Sequence, residues 1–195
     1  MKKIFVFTFT VFLVLATVGC GFQKQSTHPN ADDIHFIQVE EYSTAGRLLV
    51  DPVIVSKTGF LKEYDRNLAF LPENANFRLD YPIDAETLEI IEDSKPTNGV
   101  ITCYDRESQK GYFIYLAKGE NYVTELYAIS SKDTITSKID SHEVKLYNLK
   151  NPRDPDEILH YAEFAVGEIY YSVEVKNWSE ADTVKLIQEI IESNA

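Results

Sequence analysis

The sequence predicts an α+β domain. We expect a curved antiparallel sheet of about six strands, a C-terminal helix packed on one face and a second short helix. Three observations carry this expectation. Twelve tyrosines and eleven phenylalanines stand against only eight glycines, and aromatic side chains suit a pleated, half-buried surface. Short runs of alternating polarity follow one another with brief turns between them, as in an antiparallel meander. After Ser179 the apolar spacing changes to a helical period.

Taken in chain order, residues 1–19 read as a signal peptide. Lys2 and Lys3 precede an uncharged run from Ile4 to Val18. A secretory signal has a basic start, an apolar stretch of about 7–15 residues and a small-residue cleavage site, whereas a membrane span normally needs about 20 apolar residues. Ala16-Thr17-Val18-Gly19-Cys20 resembles a lipobox, with Thr17 where leucine is commonest. In that motif the cysteine becomes the lipidated first residue of the mature protein, carrying acyl chains such as palmitate. An ordinary signal cut nearby, leaving Cys20 a stray thiol, is the plainer alternative. Two or more acyl chains give stable anchoring where one is marginal. Residues 20–33 are polar and too poor in apolar side chains to order themselves, so they read as a flexible stalk.

Residues 34–195 then form a single domain of ordinary size, large enough for a core without disulfides. The first element expected in it is the short helix, Asp84 to Asp93, with Asp84 as N-cap and Leu88 and Ile91 spaced i, i+3. Strands follow at Val100–Tyr104, Tyr112–Ala117, Val123–Ile129 and Val144–Leu149, with turns at Gly111 and at Lys118-Gly119-Glu120-Asn121. Pro152 and Pro155 make 151–156 a rigid loop. Two further strands, Ile158–Val166 and Ile169–Val175, flank Gly167-Glu168, a type II′ hairpin turn. Ile169, Tyr171, Val173 and Val175 share one face of the last strand, and Tyr170, Ser172 and Glu174 take the other, as in a half-buried strand. The final helix starts at Ser179 with Asp182 in a capping-box-like arrangement. Its apolar stripe is Val184, Ile187, Ile190 and Ile191.

This C-terminal stretch resembles the exported bacterial domains of the DUF4367 type. The residues that carry the likeness are Gly167-Glu168-Ile169-Tyr170-Tyr171-Ser172-Val173, the turn Lys176-Asn177-Trp178-Ser179, and the helix end Leu186-Ile187-Gln188-Glu189-Ile190-Ile191-Glu192-Ser193. Val144-Lys145-Leu146-Tyr147 matches the family's penultimate strands. The family's usual tryptophan is missing from the strand before the hairpin, where Tyr161 and Phe164 stand instead. The resemblance implies a fold and an export context, and no catalytic residues.

Charge and motifs exclude several classes. The formal charge of −12, with no cluster of Lys and Arg, argues against nucleic acid as a partner. It also argues against electrostatic attachment to anionic lipid, leaving membrane attachment to lipidated Cys20. The histidines (His28, His35, His142, His160) have no ligand spacing, and Asp154 and Asp156 lack the further ligands and glycine of a calcium loop, so neither a metal nor another cofactor is expected. There is no nucleophile elbow, no S-x-x-K set and no phosphate loop. Cys103, the one cysteine besides Cys20, reads as a buried inert thiol; a Cys103–His142 pair lacks any family signature. Glu163, between Ala162 and Phe164, is expected to point to water. Asn177-Trp178-Ser179 matches a glycosylation sequon without meaning behind a bacterial signal.

Among twelve tyrosines, Tyr112, Tyr115, Tyr122, Tyr127, Tyr170 and Tyr171 fall on both sheet faces, so some must be partly exposed. Tyr112, Tyr115, Tyr127, Tyr170 and Tyr171 are the candidate binding surface; tyrosines at a core edge with wet hydroxyls are the alternative. The function expected is therefore a membrane-anchored lipoprotein with a non-catalytic extracytoplasmic domain that binds or senses an unidentified protein or small ligand. A surface hydrolase with an unrecognised carboxylate site, and an immunity or inhibitor lipoprotein, are the competing readings.

Overall fold

The structure is a computed structural model that describes residues 34–44, 50–118, 127–129, 135–151, 154 and 156–195. The signal peptide 1–19, Cys20, the stalk 20–33, the 119–121 turn, Tyr122 and residues 123–126 of the expected third strand lie outside the described residues, as do Pro152, Arg153 and Pro155. Among the described residues no helix is long and apolar enough to cross a membrane.

The chain is α+β, with its strands divided between two sheets rather than one. The large sheet has nine strands among the described residues, not about six. In chain order these are β1 (Phe36–Val39), β3 (Val50–Val55), β4 (Asn76–Pro82), β5 (Asn98–Asp105), β6 (Lys110–Lys118), β8 (Ser137–Ile139), β9 (His142–Lys150), β10 (Ile158–Val166) and β11 (Ile169–Lys176). They lie side by side as β1-β9-β10-β11-β6-β5-β4-β3, with β8 also on β9. A small second sheet pairs β2 (Tyr42–Thr44) with β7 (Tyr127–Ile129). The large sheet is not purely antiparallel, because β1 runs parallel to β9. β1 and β8 occupy successive stretches of β9, and the His35 amide donates to Ser137 Oγ at 2.9 Å where they meet.

The central strands form where alternation and turn chemistry coincide. Val166 pairs with Ile169 across a two-residue turn. Gly167 sits there at φ +60° and Glu168 is not among the positive-φ residues, which is the type II′ pattern. At the start of β6, Gly111 faces Tyr104 with φ +154°, and a Cβ on it would lie 2.2 Å from the Cys103 carbonyl oxygen. Only glycine lets the two strands approach so closely there.

Among the described residues two helices cover one face. α2 (Glu180–Asn194) begins as expected: Ser179 Oγ accepts from the Asp182 amide and donates to the Asp182 carboxylate. It buries Thr183, Leu186, Ile187, Ile190 and Ile191 against Ala162, Phe164, Val173 and Val175 of the sheet. Each fully buried Leu or Ile contributes about 1.5–3 kcal/mol, so this face holds the helix in place. The other helix is not where the sequence predicts it. It is α1 (Lys57–Glu63), capped by the Ser56 hydroxyl and anchored by Phe60, which stacks on Tyr64 at 5.2 Å. Residues 84–93 form turns and one isolated bridge, Ile83 to Ile90. Asp84 does accept from the Glu86 and Thr87 amides, yet Leu88 turns to φ +58° and is exposed. With Leu88 and Ile91 both in solvent, no apolar face exists to pull that turn into a helix.

The opposite face is also covered. Ile37, Val39, Tyr147, Leu149, Leu159 and Tyr161 form a second buried cluster, and Tyr42, Tyr115, Tyr127 and Ile129 pack on it. Three of those four belong to the β2–β7 sheet or flank its pairing, so the small sheet lies over this side. Strand β11 is consequently buried on both faces, Ser172 and Glu174 included, and is not the half-buried strand its alternation suggests.

Candidate functional site

The five tyrosines expected to form a binding surface do not share one. Tyr112 and Tyr171 are buried in the core beneath α2, at 5% and 2% exposure. Tyr115, Tyr127 and Tyr170 are half-buried and lie on the other side of the sheet, where Tyr115 faces Ser172 and Tyr170 faces Ala117. Tyr127 stands edge-on to Tyr161 at 5.0 Å and to Tyr42 at 5.2 Å. The sheet thus separates the set into two groups that no single ligand could touch.

Beneath the small sheet lies a buried polar cluster. Glu163 is only 5% exposed, so it does not point to water as its sequence context suggests. Its Oε1 accepts from the Tyr161 hydroxyl at 2.8 Å, and Lys145 Nζ lies 3.6 Å from Oε2. Ser172, directly opposite Glu163 on β11, has its Oγ 3.3 Å from the same tyrosine hydroxyl. One pair along, Glu174 accepts from the Tyr127 hydroxyl at 2.5 Å and faces Lys176 Nζ at 3.6 Å, which also faces Glu157. Burial first, then the Glu174 charge, pushes the Tyr127 hydroxyl far above its usual range, so it stays a donor. Burial alone would lower the Lys176 ammonium, but Glu174 and Glu157 outweigh it and raise it. Each buried carboxylate therefore has a hydroxyl and an ammonium partner, which is the condition for burying charge at tolerable cost.

The concave site is elsewhere, at the junction of sheet and helix. An open groove of about 800 Å³ runs between the β5–β6 hairpin, the 70–74 loop and residues 182–189 of α2, within the size range of small-ligand sites. Its floor is Cys103, Tyr112, Trp178 and Leu186, with Tyr112 and Trp178 edge to face at 5.3 Å and 84°. The groove-facing stripe of α2 is Asp182, Lys185, Leu186 and Glu189, spaced i, i+3, i+4 and i+7. Across from it lie Asp105 and Lys110, paired partners on β5 and β6.

Local chemistry fixes this rim. Asn177, at φ +56°, turns the chain from β11 into α2. Its Nδ2 donates to the Gln109 carbonyl at 2.9 Å and its Oδ1 accepts from the Ile158 amide at 3.0 Å. Asp105 stiffens the hairpin turn by accepting from the Ser108 hydroxyl and the Glu107 amide, which lower its carboxyl. Behind the floor, His160 Nε2 lies 3.0 Å from the Trp178 carbonyl oxygen and Nδ1 2.6 Å from Asn148 Oδ1.

The floor carries no activated nucleophile. Burial raises the Cys103 thiol despite its bond with Tyr112, and burial likewise drives the Tyr112 hydroxyl far up. Both are held in their neutral forms, whereas a reactive cysteine needs a lowered value. Among the described residues, no three His, Cys, Asp or Glu side chains stand together as metal ligands. What the groove offers is an aromatic corner with a charged rim, suited to holding a ligand. The sequence hid it because Cys103, Tyr112, Trp178 and Leu186 come from four different elements.

Comparison of the chain with models of known protein families, with curated proteins and with solved structures finds no match.

Proposed function

We propose that the chain is a bacterial lipoprotein whose residues 34–195 form a non-catalytic binding module, tethered through lipidated Cys20 to the outer face of the cytoplasmic membrane. The groove between the β5–β6 hairpin and α2 carries the binding half of this reading: it joins an aromatic floor to a charged rim. The tether rests on the lipobox-like run ending at Cys20, and on an acidic, polar-stalked chain having no other evident attachment. The exported DUF4367-type domains that the C-terminal residues resemble fit the same setting, and the residues of that likeness fall on β9, β11, α2 and the turns on either side of β11.

The hydrolase alternative would need carboxylates that converge on a substrate pocket. Glu163 and Glu174 are buried together, but each is matched by a tyrosine and a lysine, and neither lines the groove; the carboxylates that do, Asp105, Asp182 and Glu189, share its rim with Lys110 and Lys185.

Two measurements test the proposal. Radiolabelled palmitate should enter the wild-type chain and not Cys20→Ala; absence of label from the wild type, or equal labelling of that variant, would refute the tether. A photo-crosslinker placed at Lys185 in the groove should trap a bound molecule that the same probe at exposed Ile54 does not, and equal trapping at both positions would refute the groove.

A further inference from the structure

The groove's charges are not balanced. Its rim carries three carboxylates, Asp105, Asp182 and Glu189, against two ammonium groups, Lys110 and Lys185. Lys110 stands directly across the ladder from Asp105. Lys185 lies three residues after Asp182 and four before Glu189 on one helix face, spacings at which opposite charges attract. One carboxylate is in surplus. Glu189 is half-buried and close enough to the aromatic corner that its charge joins burial and Cys103 in raising the Tyr112 hydroxyl.

An anionic ligand has less to recommend it. The first turn of α2 would attract an anion through the helix dipole, but Glu180 and Asp182 occupy that turn and Ser179 caps it. The chain as a whole carries −12, a field that draws cations towards clefts. Aromatic faces add to this, since an ammonium over tryptophan or tyrosine is attracted by the ring quadrupole. The groove's volume of about 800 Å³ is also more room than a lone amine fills.

From this charge pattern and the Tyr112–Trp178 corner, we propose that the groove docks a peptide segment through a lysine side chain, its ammonium on Trp178 and countered by Glu189. The inference rests on the reading of the groove as a binding site and names the chemistry of its occupant.

Trp178 is the one tryptophan in the chain, so its fluorescence reports on the groove alone. The full chain in detergent is titrated with the blocked tripeptide Gly-Lys-Gly, with Gly-Glu-Gly and with tetramethylammonium. Gly-Lys-Gly should give a saturable change, and Glu189→Gln should weaken its binding by about tenfold, as loss of one charged hydrogen bond does. Saturation by Gly-Glu-Gly at equal or higher affinity, or indifference of Gly-Lys-Gly to Glu189→Gln, would overturn the lysine assignment and leave the groove a binding site. Tetramethylammonium matching Gly-Lys-Gly in affinity would overturn the peptide as occupant. No saturable change with any probe would overturn both this inference and the binding function.

Discussion

Replacing Gly111 with alanine tests the geometry of the groove wall at its tightest point. The new Cβ would lie 2.2 Å from the Cys103 carbonyl oxygen and 2.6 Å from the Tyr104 Cα. Both are backbone atoms of the facing strand, so no rotamer change relieves the contact. The β5–β6 ladder itself must open, at the pair Tyr104 to Gly111. Overpacking of this kind costs about 1–3 kcal/mol. The φ of +154° adds strain for a residue with a side chain, in a region worth of order 1–3 kcal/mol. A loss of about 3 kcal/mol follows, and with a urea slope of about 2 kcal/mol per molar it lowers the unfolding midpoint by about 1.5 M. Gly59→Ala is the internal control. It lies within α1, where the new Cβ meets only Val55 Cβ at 3.4 Å and Ser56 Oγ at 3.5 Å. That substitution should stabilise by about 0.5–1 kcal/mol, the helix penalty of glycine. A Gly111→Ala protein within about 0.5 kcal/mol of wild type would refute the close approach and the hairpin register that depends on it.

Two other outcomes follow from the buried polar groups. Tyr161→Phe removes the hydroxyl that donates to Glu163 and lies beside Ser172, so thermal unfolding should show a loss of about 1–3 kcal/mol; a neutral result would mean Glu163 does not depend on that donor. Burial holds the His160 imidazole below its usual range, against the opposing pull of the Trp178 carbonyl and Glu180. The unfolded chain therefore binds that proton more readily than the native one, and the contribution of His160 is full above about pH 6.5 and lost as pH falls below it. His160→Gln should flatten the stability profile between about pH 7 and pH 5, and an acid slope identical to wild type would count against a neutral buried imidazole.

How much of this was legible in the chain varies with the source of the information. The β10–β11 hairpin was readable nearly to the residue, because Gly167 and two alternating runs lie next to one another. The start of α2 was readable from Ser179 and Asp182 for the same reason. Local chemistry misled at 84–93, where Asp84 caps a turn but Leu88 and Ile91 find nothing to pack on. It was silent at α1, seven residues long with Gly59 inside it, which is held by Phe60 and Tyr64 reaching the sheet. The strand β4 alternates Phe77, Leu79 and Tyr81 with polar residues and carries a readable signal; β1, β2 and β8 are too short to show one. Glu163 and Glu174 looked solvent-facing because the layer that buries them, the β2–β7 sheet, is assembled from residues far from them in sequence. The groove was unreadable in the same sense: Trp178 sits in what the sequence presents as a polar turn, and Cys103 and Tyr112 meet it only across the ladder.

The parallel strand at the edge of the sheet also bears on the order in which the domain can form. β1 is the first strand among the described residues, yet its partner is β9, with Phe36 opposite Leu146, roughly 110 residues further on. Pairings so distant are slow to close, because loop entropy is lost before the contacts reward it. A chain that emerges N-terminus first must therefore leave β1 without this partner until β9 has emerged. Four residues is a short edge to leave open, which limits the chance of pairing with another molecule in the interval. Pairing of β1 therefore depends on a strand that follows most of the others in sequence, and it closes the sheet edge nearest in sequence to Cys20.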